Sequence, residues 1–294
     1  MDPMATSLTA APSGTWNFRD LGGTRTADGS VVRSGRLLRS ATLEALDPDG
    51  QQTLLDLGVR TVFDLRGVKE IARTKADVVP DGVTVRIEPF NPEEDETPVH
   101  EGEEAVEEVA EELVERAAED ASRDPGQDVD DAGPTPAEVD AVERRTAGDW
   151  MRAWNRQVST AEPAQQSVAN LLRELGSTDG AVLVHCAAGK DRTGWAVATV
   201  LTAVGVSWDD VLADFLLSDD AADDLGAYMD RAYPGRRPER ELLGVQASYL
   251  EAARDGMLDA FGSFDGYLQA IGITETDLDR LRAALLEQPA ADRG

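Results

Sequence analysis

His185-Cys186-Ala187-Ala188-Gly189-Lys190-Asp191-Arg192-Thr193-Gly194 sets the only cysteine of the chain and an arginine six positions apart, between two apolar runs. Ala181 to Val184 reads as a short buried strand and Gly194 to Val204 as an apolar helix, so the ten residues join a strand end to a helix start. The first N–H groups of a helix have no intrahelical partner and carry the positive end of the dipole, which makes such a junction an anion site. Gly189 permits the bend. Cys186 and Arg192 can then face each other across a loop whose N–H groups, from Ala187, Ala188, Gly189 and Lys190 to Thr193 and Gly194, converge as a nest. A tetrahedral dianion fits that description.

The residue types supply chemistry to match. A cysteine beside helix N–H groups and a cation has its pKa drawn down to about 3.5–7.5, so Cys186 is expected to be a thiolate and a nucleophile. Arg192 can hold two phosphoryl oxygens with parallel N–H bonds, which a lysine cannot do with a planar fork. Thr193 can donate its hydroxyl to the Cys186 sulfur when a phosphocysteine breaks, and His185 is read as orienting the loop by hydrogen bonding. A lone cysteine between strand and helix is often a small core hydrophobe. Core packing, however, gives no reason to assemble His-Cys, Gly and Arg-Thr-Gly at one turn, so the catalytic reading prevails.

His-Cys-x5-Arg resembles the signature loop of the cysteine-dependent protein tyrosine phosphatase superfamily. Three further stretches narrow the resemblance: Asn17-Phe18-Arg19-Asp20-Leu21-Gly22-Gly23, Arg39-Ser40-Ala41, and Gly58-Val59-Arg60-Thr61-Val62-Phe63-Asp64-Leu65-Arg66. With the Ala-Gly-Lys-Asp-Arg-Thr-Gly loop they are similar, in that order, to the bacterial protein tyrosine phosphatase B type, over roughly residues 14–90 and 146–287. The resemblance implies a tyrosine phosphatase-like α/β fold and hydrolysis of phosphotyrosine, in some members also phosphoserine, phosphothreonine and phosphoinositides. No cofactor and no metal are expected. Two other classes share parts of the pattern. The intact Cys186, Arg192 and Thr193 weigh against a phosphate-binding module without turnover, and the Cys-x5-Arg-Thr-Gly spacing suits phosphate better than a rhodanese-type sulfurtransferase.

The general acid is less directly readable, because no Trp-Pro-Asp occurs in the chain. Asp191, inside the loop, is the acid that the resemblance favours; the alternative is that it pairs with Lys190 or a scaffold arginine. Asp64 is the runner-up, at the end of a strand-like run, Val59 to Leu65, where ligand-facing residues of open sheets gather. It can equally form an ion pair with Arg66 behind the loop. Asp149 opens a helical pattern and reads as an N-cap. Lys190 adds a second cation to the loop, which favours multiply phosphorylated substrates, and Arg236, Arg237 and Arg240 form a basic patch that can steer anions. Arg19 and Arg39 either line the pocket or brace it.

The chain has 294 residues and a formal charge of −29, which argues against nucleic acid and against stable docking on anionic membranes as partners. Strand candidates alternate with helical segments, predicting a mainly parallel sheet with helices on both faces and an all-helical C-terminal third. The expected organisation is one phosphatase domain over 14–287, with flexible tails at 1–13 and 288–294. From Glu88 to Glu143, 22 acidic residues face only Arg116 and Arg123, so 91–145 reads as an acidic, partly disordered insertion. Within it Val106, Val109, Leu113 and Val114 keep a helical spacing, whereas 122–136 has no apolar face.

After the loop helix, Ser207-Trp208-Asp209-Asp210 reads as a capped helix start. A further helix runs from about Asp220 to Tyr233, and Gln246 to Leu286 reads as three helices, the last capped by Thr274. Trp208, Phe215, Leu225, Met229 and Tyr233 line either an apolar entrance or the core, the core being favoured for any one of them. A single cysteine excludes an intrachain disulfide. Met1 to Gly14 shows no signal-peptide pattern, which makes the cytoplasm the expected compartment, with the leaderless export known in relatives left open.

Overall fold

The computed structural model describes residues 11–90, 146–232 and 238–287. The acidic insertion read at 91–145, together with Tyr233, Arg236, Arg237, residues 1–10 and the tail at 288–294, lies outside the described residues. The boundary expected at residue 14 falls among packed chain, since Pro12 is buried and the Ser13 hydroxyl donates to Asp47 Oδ2 over 2.6 Å.

In chain order the first five strands are β1 (Arg19–Asp20), β2 (Val31–Val32), β3 (Leu37–Ser40), β4 (Val59–Asp64) and β5 (Thr84–Ile87); β6 (Ala181–His185) follows much later. The central sheet runs β1-β3-β6-β4-β5, with β1 antiparallel and the other four parallel. Strand β6 comes from the second half of the chain yet lies between β3 and β4 of the first, so neither half closes the sheet alone. The register puts Ser40, His185 and Asp64 level with one another at the carboxyl ends of β3, β6 and β4.

Successive strand side chains point to opposite faces, and here both faces are apolar because both are covered. Val182 and Val184 join Leu37 and Phe63 in the larger core, while Ala181 and Leu183 join Leu38 and Val62 in the smaller. Helix α1 (Pro48–Asp56) seals the smaller core through Leu54; its Asp47 cap accepts the Gly50 N–H at 2.8 Å and Pro48 opens its first turn. The short α2 (Val68–Arg73) follows β4. The larger core takes α3 (Ala147–Val158), α4 (Glu162–Ser177), α5 (Asp191–Ala203) and α6 (Trp208–Leu216).

A 3-10 turn, Leu217–Ala221, leads into α7 (Ala222–Ala232), followed by α8 (Arg240–Leu243), α9 (Ala247–Phe261), α10 (Phe264–Ala270) and α11 (Glu275–Leu285). Helix α9 packs along α3 and α11 along α4. The three helices expected between Gln246 and Leu286 are present. Thr274 caps the last: its hydroxyl accepts the Asp277 N–H at 3.2 Å and Asp277 Oδ2 accepts the Thr274 N–H at 3.0 Å.

Two expectations are corrected. The C-terminal third is helical only to Leu285, because Leu286–Glu287 forms β7 and pairs with β2, a ladder too short for alternation to signal. Asp149 is not the cap of α3 but its third residue; Thr146 is the cap, exchanging hydrogen bonds with Asp149 of 3.1 and 3.0 Å. Among the described residues no helix is long and apolar enough to cross a membrane.

Candidate active site

The turn from Cys186 to Lys190 lies between β6 and α5, beyond the carboxyl ends of parallel strands, where open α/β sheets collect ligands. Its carbonyls are all engaged by the scaffold. Cys186 O lies 3.0 Å from His185 Nδ1, and Ala187 O accepts the Thr42 N–H at 3.0 Å. Asn17, at the unusual φ of 52°, donates Nδ2 to both Ala188 O and Gly189 O at 3.0 Å. Gly189 O also takes Arg39 Nη2 at 2.7 Å, and Lys190 O takes the Gly194 N–H at 2.6 Å. With the carbonyls turned outward, the N–H groups from Ala187 to Arg192 find no protein acceptor among the described residues. They form an anion-binding nest.

Two glycines are required by close approach. At Gly189, φ is 67° and a Cβ would stand 2.1 Å from Ser40 O; at Gly194 a Cβ would meet the Phe215 ring at 2.7 Å. Phe215 is therefore core behind α5 and not part of an entrance.

Cys186 is buried against α5. Burial pushes its thiol up, but Arg192, the Thr193 hydroxyl and the Thr193 N–H together hold it below the ordinary range. That hydroxyl is buried and makes no well-aligned hydrogen bond among the described residues, which leaves it available to the sulfur. Arg192 is held by a residue that sequence reasoning missed: Glu70 of α2 takes Nη1 at 2.7 Å and Nη2 at 2.9 Å. Burial opposes charge on both partners, and their mutual attraction prevails, lowering the Glu70 pKa and raising that of Arg192. Only an acidic residue in the first turn of a short polar helix was there to be noticed.

His185 meets the loop at Cys186 O through Nδ1, and its other ring nitrogen meets a partner that the sequence did not indicate. Its Nε2 lies 2.8 Å from Asp77 Oδ2, and Arg66 bridges Asp77 at 2.9 Å and Asp64 at 2.8 Å. Asp64 also accepts the Arg66 N–H and Nε, so its carboxylate is closed behind the loop as the ion pair with Arg66. Asp64, Asp77 and His185 approach within 4.8 Å of one another, but the Arg66 guanidinium already occupies the space a cation would need.

Burial lowers the His185 pKa, yet Asp77 and then Asp64 outweigh it and carry the pKa to about 9. A folded value above the ordinary 6.5 means that this proton stabilises the fold fully below pH 6.5, and that the contribution disappears as pH rises through about 9. Ionisation of Cys186 has the opposite sign, so the effect is best isolated in Cys186→Ser. Urea denaturation of that variant is expected to lose about 3 kcal/mol between pH 6.5 and 9, and His185→Gln in the same background is expected to flatten the slope. Equal stability at both pH values refutes the protonated histidine.

Arg19 and Arg39 brace the loop and do not line the cleft. Both converge on Asp214 of α6, Arg19 Nε at 2.6 Å and Arg39 Nη1 at 2.5 Å. Lys190 Nζ pairs with Asp191 Oδ2 at 2.6 Å, so the second loop cation is neutralised locally, while Asp191 Oδ1 is buried without a partner among the described residues. Arg240 of the basic patch is bound to Asp219 at 3.0 Å.

A cleft opens over Cys186, Asp191 and Arg192. Leu225 and Met229 of α7 line it, joined by Tyr228 and by Trp150 and Trp154 of α3, whose rings stack 6.3 Å apart. The i, i+4 spacing of the two tryptophans was a signal for a shared helix face, though not for which side faced the loop. Trp208 lies away from the cleft, under Arg254.

Known proteins resemble this chain in sequence. The profile of the tyrosine phosphatase family matches residues 11–287. The chain is 35% identical over 292 residues to the triple specificity protein phosphatase PtpB of Mycobacterium tuberculosis, covering 93% of this chain and 97% of that protein. A Cupriavidus necator protein, named provisionally as a tyrosine-protein phosphatase, is 32% identical over 92% of this chain and 85% of its own length. A tyrosine-protein phosphatase of Nostoc commune is 33% identical over 121 residues, 36% of this chain. A strand-to-helix loop with Cys186 and Arg192 at its ends, inside a profile match that spans nearly the whole chain, makes this protein a member of the tyrosine phosphatase family.

Proposed function

We propose that the chain hydrolyses phosphotyrosine in two steps at the Cys186 loop. The Cys186 thiolate attacks phosphorus in line, the phosphorus–oxygen bond to the leaving phenol breaks, and Asp191 gives that oxygen its proton. Water then attacks the phosphocysteine and passes a proton to Asp191; the sulfur–phosphorus bond breaks, releasing inorganic phosphate and restoring the thiolate. Arg192 and the loop N–H groups hold the equatorial oxygens throughout. The observation that carries this reading is the complete engagement of the loop carbonyls by His185, Thr42, Asn17, Arg39 and Gly194, which leaves the N–H groups for a phosphoryl group.

Asp191 is chosen over Asp64 because its Oδ1 lies at the cleft with no partner among the described residues, whereas Asp64 is closed by Arg66. Phosphoserine, phosphothreonine and phosphoinositides widen the proposed range, supported by the triple specificity in the name of the Mycobacterium tuberculosis relative. The acidic chain is assigned to phosphorylated substrates in the cytoplasm, without nucleic-acid partners or stable membrane attachment.

The test is Asp191→Asn on paired substrates. kcat/KM for phosphotyrosine is expected to fall about 100-fold, and that for 4-nitrophenyl phosphate, whose leaving group needs little help, by no more than about tenfold. Equal losses on both substrates point to a structural role for Asp191. A panel of phosphopeptides and phosphoinositides, run with the unaltered protein, ranks the substrate classes.

A further inference from the structure

Beyond the residues that touch the phosphoryl group, one buried cluster is built around the far end of the loop. Asp214 of α6 receives Arg39 Nη1 at 2.5 Å and Arg19 Nε at 2.6 Å, and its backbone carbonyl receives Arg19 Nη2 at 2.8 Å. Arg39 is fully buried and continues to Gly189 O at 2.7 Å and Lys190 O at 3.4 Å. Arg19 reaches Asn17 Oδ1 at 2.7 Å, and Asn17 in turn holds Ala188 O and Gly189 O. Ser218, one turn after Asp214, accepts from both guanidiniums at 3.0 and 3.4 Å. A single carboxylate thus orients two arginines, and both routes end on the residues just before Asp191.

We infer that Asp214 is a positioning residue for the proton transfer: through Arg39 and through Arg19 and Asn17 it fixes the Gly189-Lys190 peptide and so the place from which Asp191 meets the leaving group. The inference rests on the proposed role of Asp191. The nucleophile's end of the loop is fixed separately, by His185 on Cys186 O and by Glu70 on Arg192. Loss of Asp214 therefore disturbs the acid end and leaves the thiolate end in place. Charge separates the two ends further. Arg39 attracts charge on Cys186, and Asp214→Asn takes a negative charge away from the neighbourhood of the thiolate, which does not raise its midpoint. A loop that merely collapsed would have the opposite effect, since Cys186 would lose Arg192 and its dipoles and titrate higher.

The experiment measures kcat/KM of Asp214→Asn for phosphotyrosine and 4-nitrophenyl phosphate, and the pH midpoint of Cys186 alkylation by iodoacetamide. The expected loss is about tenfold greater on phosphotyrosine than on the activated ester, in the manner of lost general-acid catalysis, with an alkylation midpoint no higher than in the unaltered protein. Ser218→Ala, which loosens the same arginines without stripping their counter-charge, is the milder variant and is expected to show the same bias at about threefold. Equal losses on both substrates, undiminished activity, or a raised midpoint each overturn the inference. Should Asp214→Asn not fold, the substrate bias of Ser218→Ala decides alone. Asp191→Asn runs alongside: if it is insensitive to leaving group, the acid assignment falls and the inference with it; if it is sensitive and the Asp214 and Ser218 variants are not, only the inference falls.

Discussion

Cys186→Ser is expected to lose turnover by about 10⁴–10⁶-fold, the scale seen when a covalent nucleophile is removed, while still binding inorganic phosphate. The argument rests on what surrounds the side chain. The surroundings draw the Cys186 thiol below its ordinary range, but a serine hydroxyl starts far higher, so it needs a base, and among the described residues none stands ready. His185 has Nδ1 on Cys186 O and Nε2 on Asp77. Asp191 carries into the first step the proton that the leaving group needs, so it cannot also take the serine's, and Glu70 is committed to Arg192. The phosphate nest, by contrast, is made of backbone N–H groups and Arg192, which the substitution leaves alone. Hydrolysis of 4-nitrophenyl phosphate and calorimetric phosphate binding, measured on one preparation, separate the two properties. Retention of even a hundredth of the original rate removes Cys186 as nucleophile, and loss of phosphate affinity along with turnover shows that the loop depends on the sulfur for its shape.

The loop itself was legible because its chemistry is local. Cys186, Gly189, Arg192 and Thr193 lie within eight residues, and the strand and helix that frame them follow from two apolar runs. The sheet and the three C-terminal helices were legible for a similar reason, since period and capping residues such as Thr274 are short-range signals. What holds the loop was not. Glu70 is 122 residues from Arg192, Asp77 is 108 from His185, and Asp214 is 175 from Arg39. Each is an ordinary acidic residue in a strongly acidic chain, and only the fold says which carboxylates are buried against arginine. Asn17 and Arg19 stood within a recognised stretch, yet a stretch does not say whether an arginine lines a pocket or braces it. The walls of the cleft were hidden for another reason. Phe215 and Leu225 have the same apolar character, and Phe215 fills the space behind Gly194 while Leu225 faces the cleft.

The carboxylates behind the loop also explain how so much positive charge can be buried. Arg66, Arg192 and Arg39 are each nearly inaccessible, and each meets an acidic partner: Asp64 and Asp77, Glu70, and Asp214 respectively. Unpaired, any one of them would be a costly buried charge. Paired, they leave a rigid frame whose remaining hydrogen bonds point at loop carbonyls, and that frame presents the N–H groups to a phosphoryl group before any substrate arrives.

Arg192→Lys is expected to lower kcat/KM for phosphotyrosine by about 10³-fold, because an oriented pair of transition-state donors is lost although the charge remains. Glu70 grips the end of the guanidinium, one oxygen on Nη1 and the other on Nη2, with Leu65 O near Nη1 at 3.4 Å. Of the five N–H bonds, that leaves Nε and the outer hydrogen of Nη2, side by side on one edge and matched to two phosphoryl oxygens. A lysine ammonium has no such edge, and drawn toward Glu70 it has no second, coplanar fork to offer. Glu70→Gln is the complementary change. It keeps the shape but removes the counter-charge, so a loss in kcat/KM of about tenfold is expected together with a fall in stability of about 3 kcal/mol, the cost of a buried ion that loses its partner. Steady-state kinetics and urea denaturation of both variants distinguish the two roles: large kinetic and small stability effects at Arg192, the reverse at Glu70. If Arg192→Lys stays within tenfold of the unaltered enzyme, charge alone suffices at this position and the two-pronged grip on the phosphoryl group is wrong.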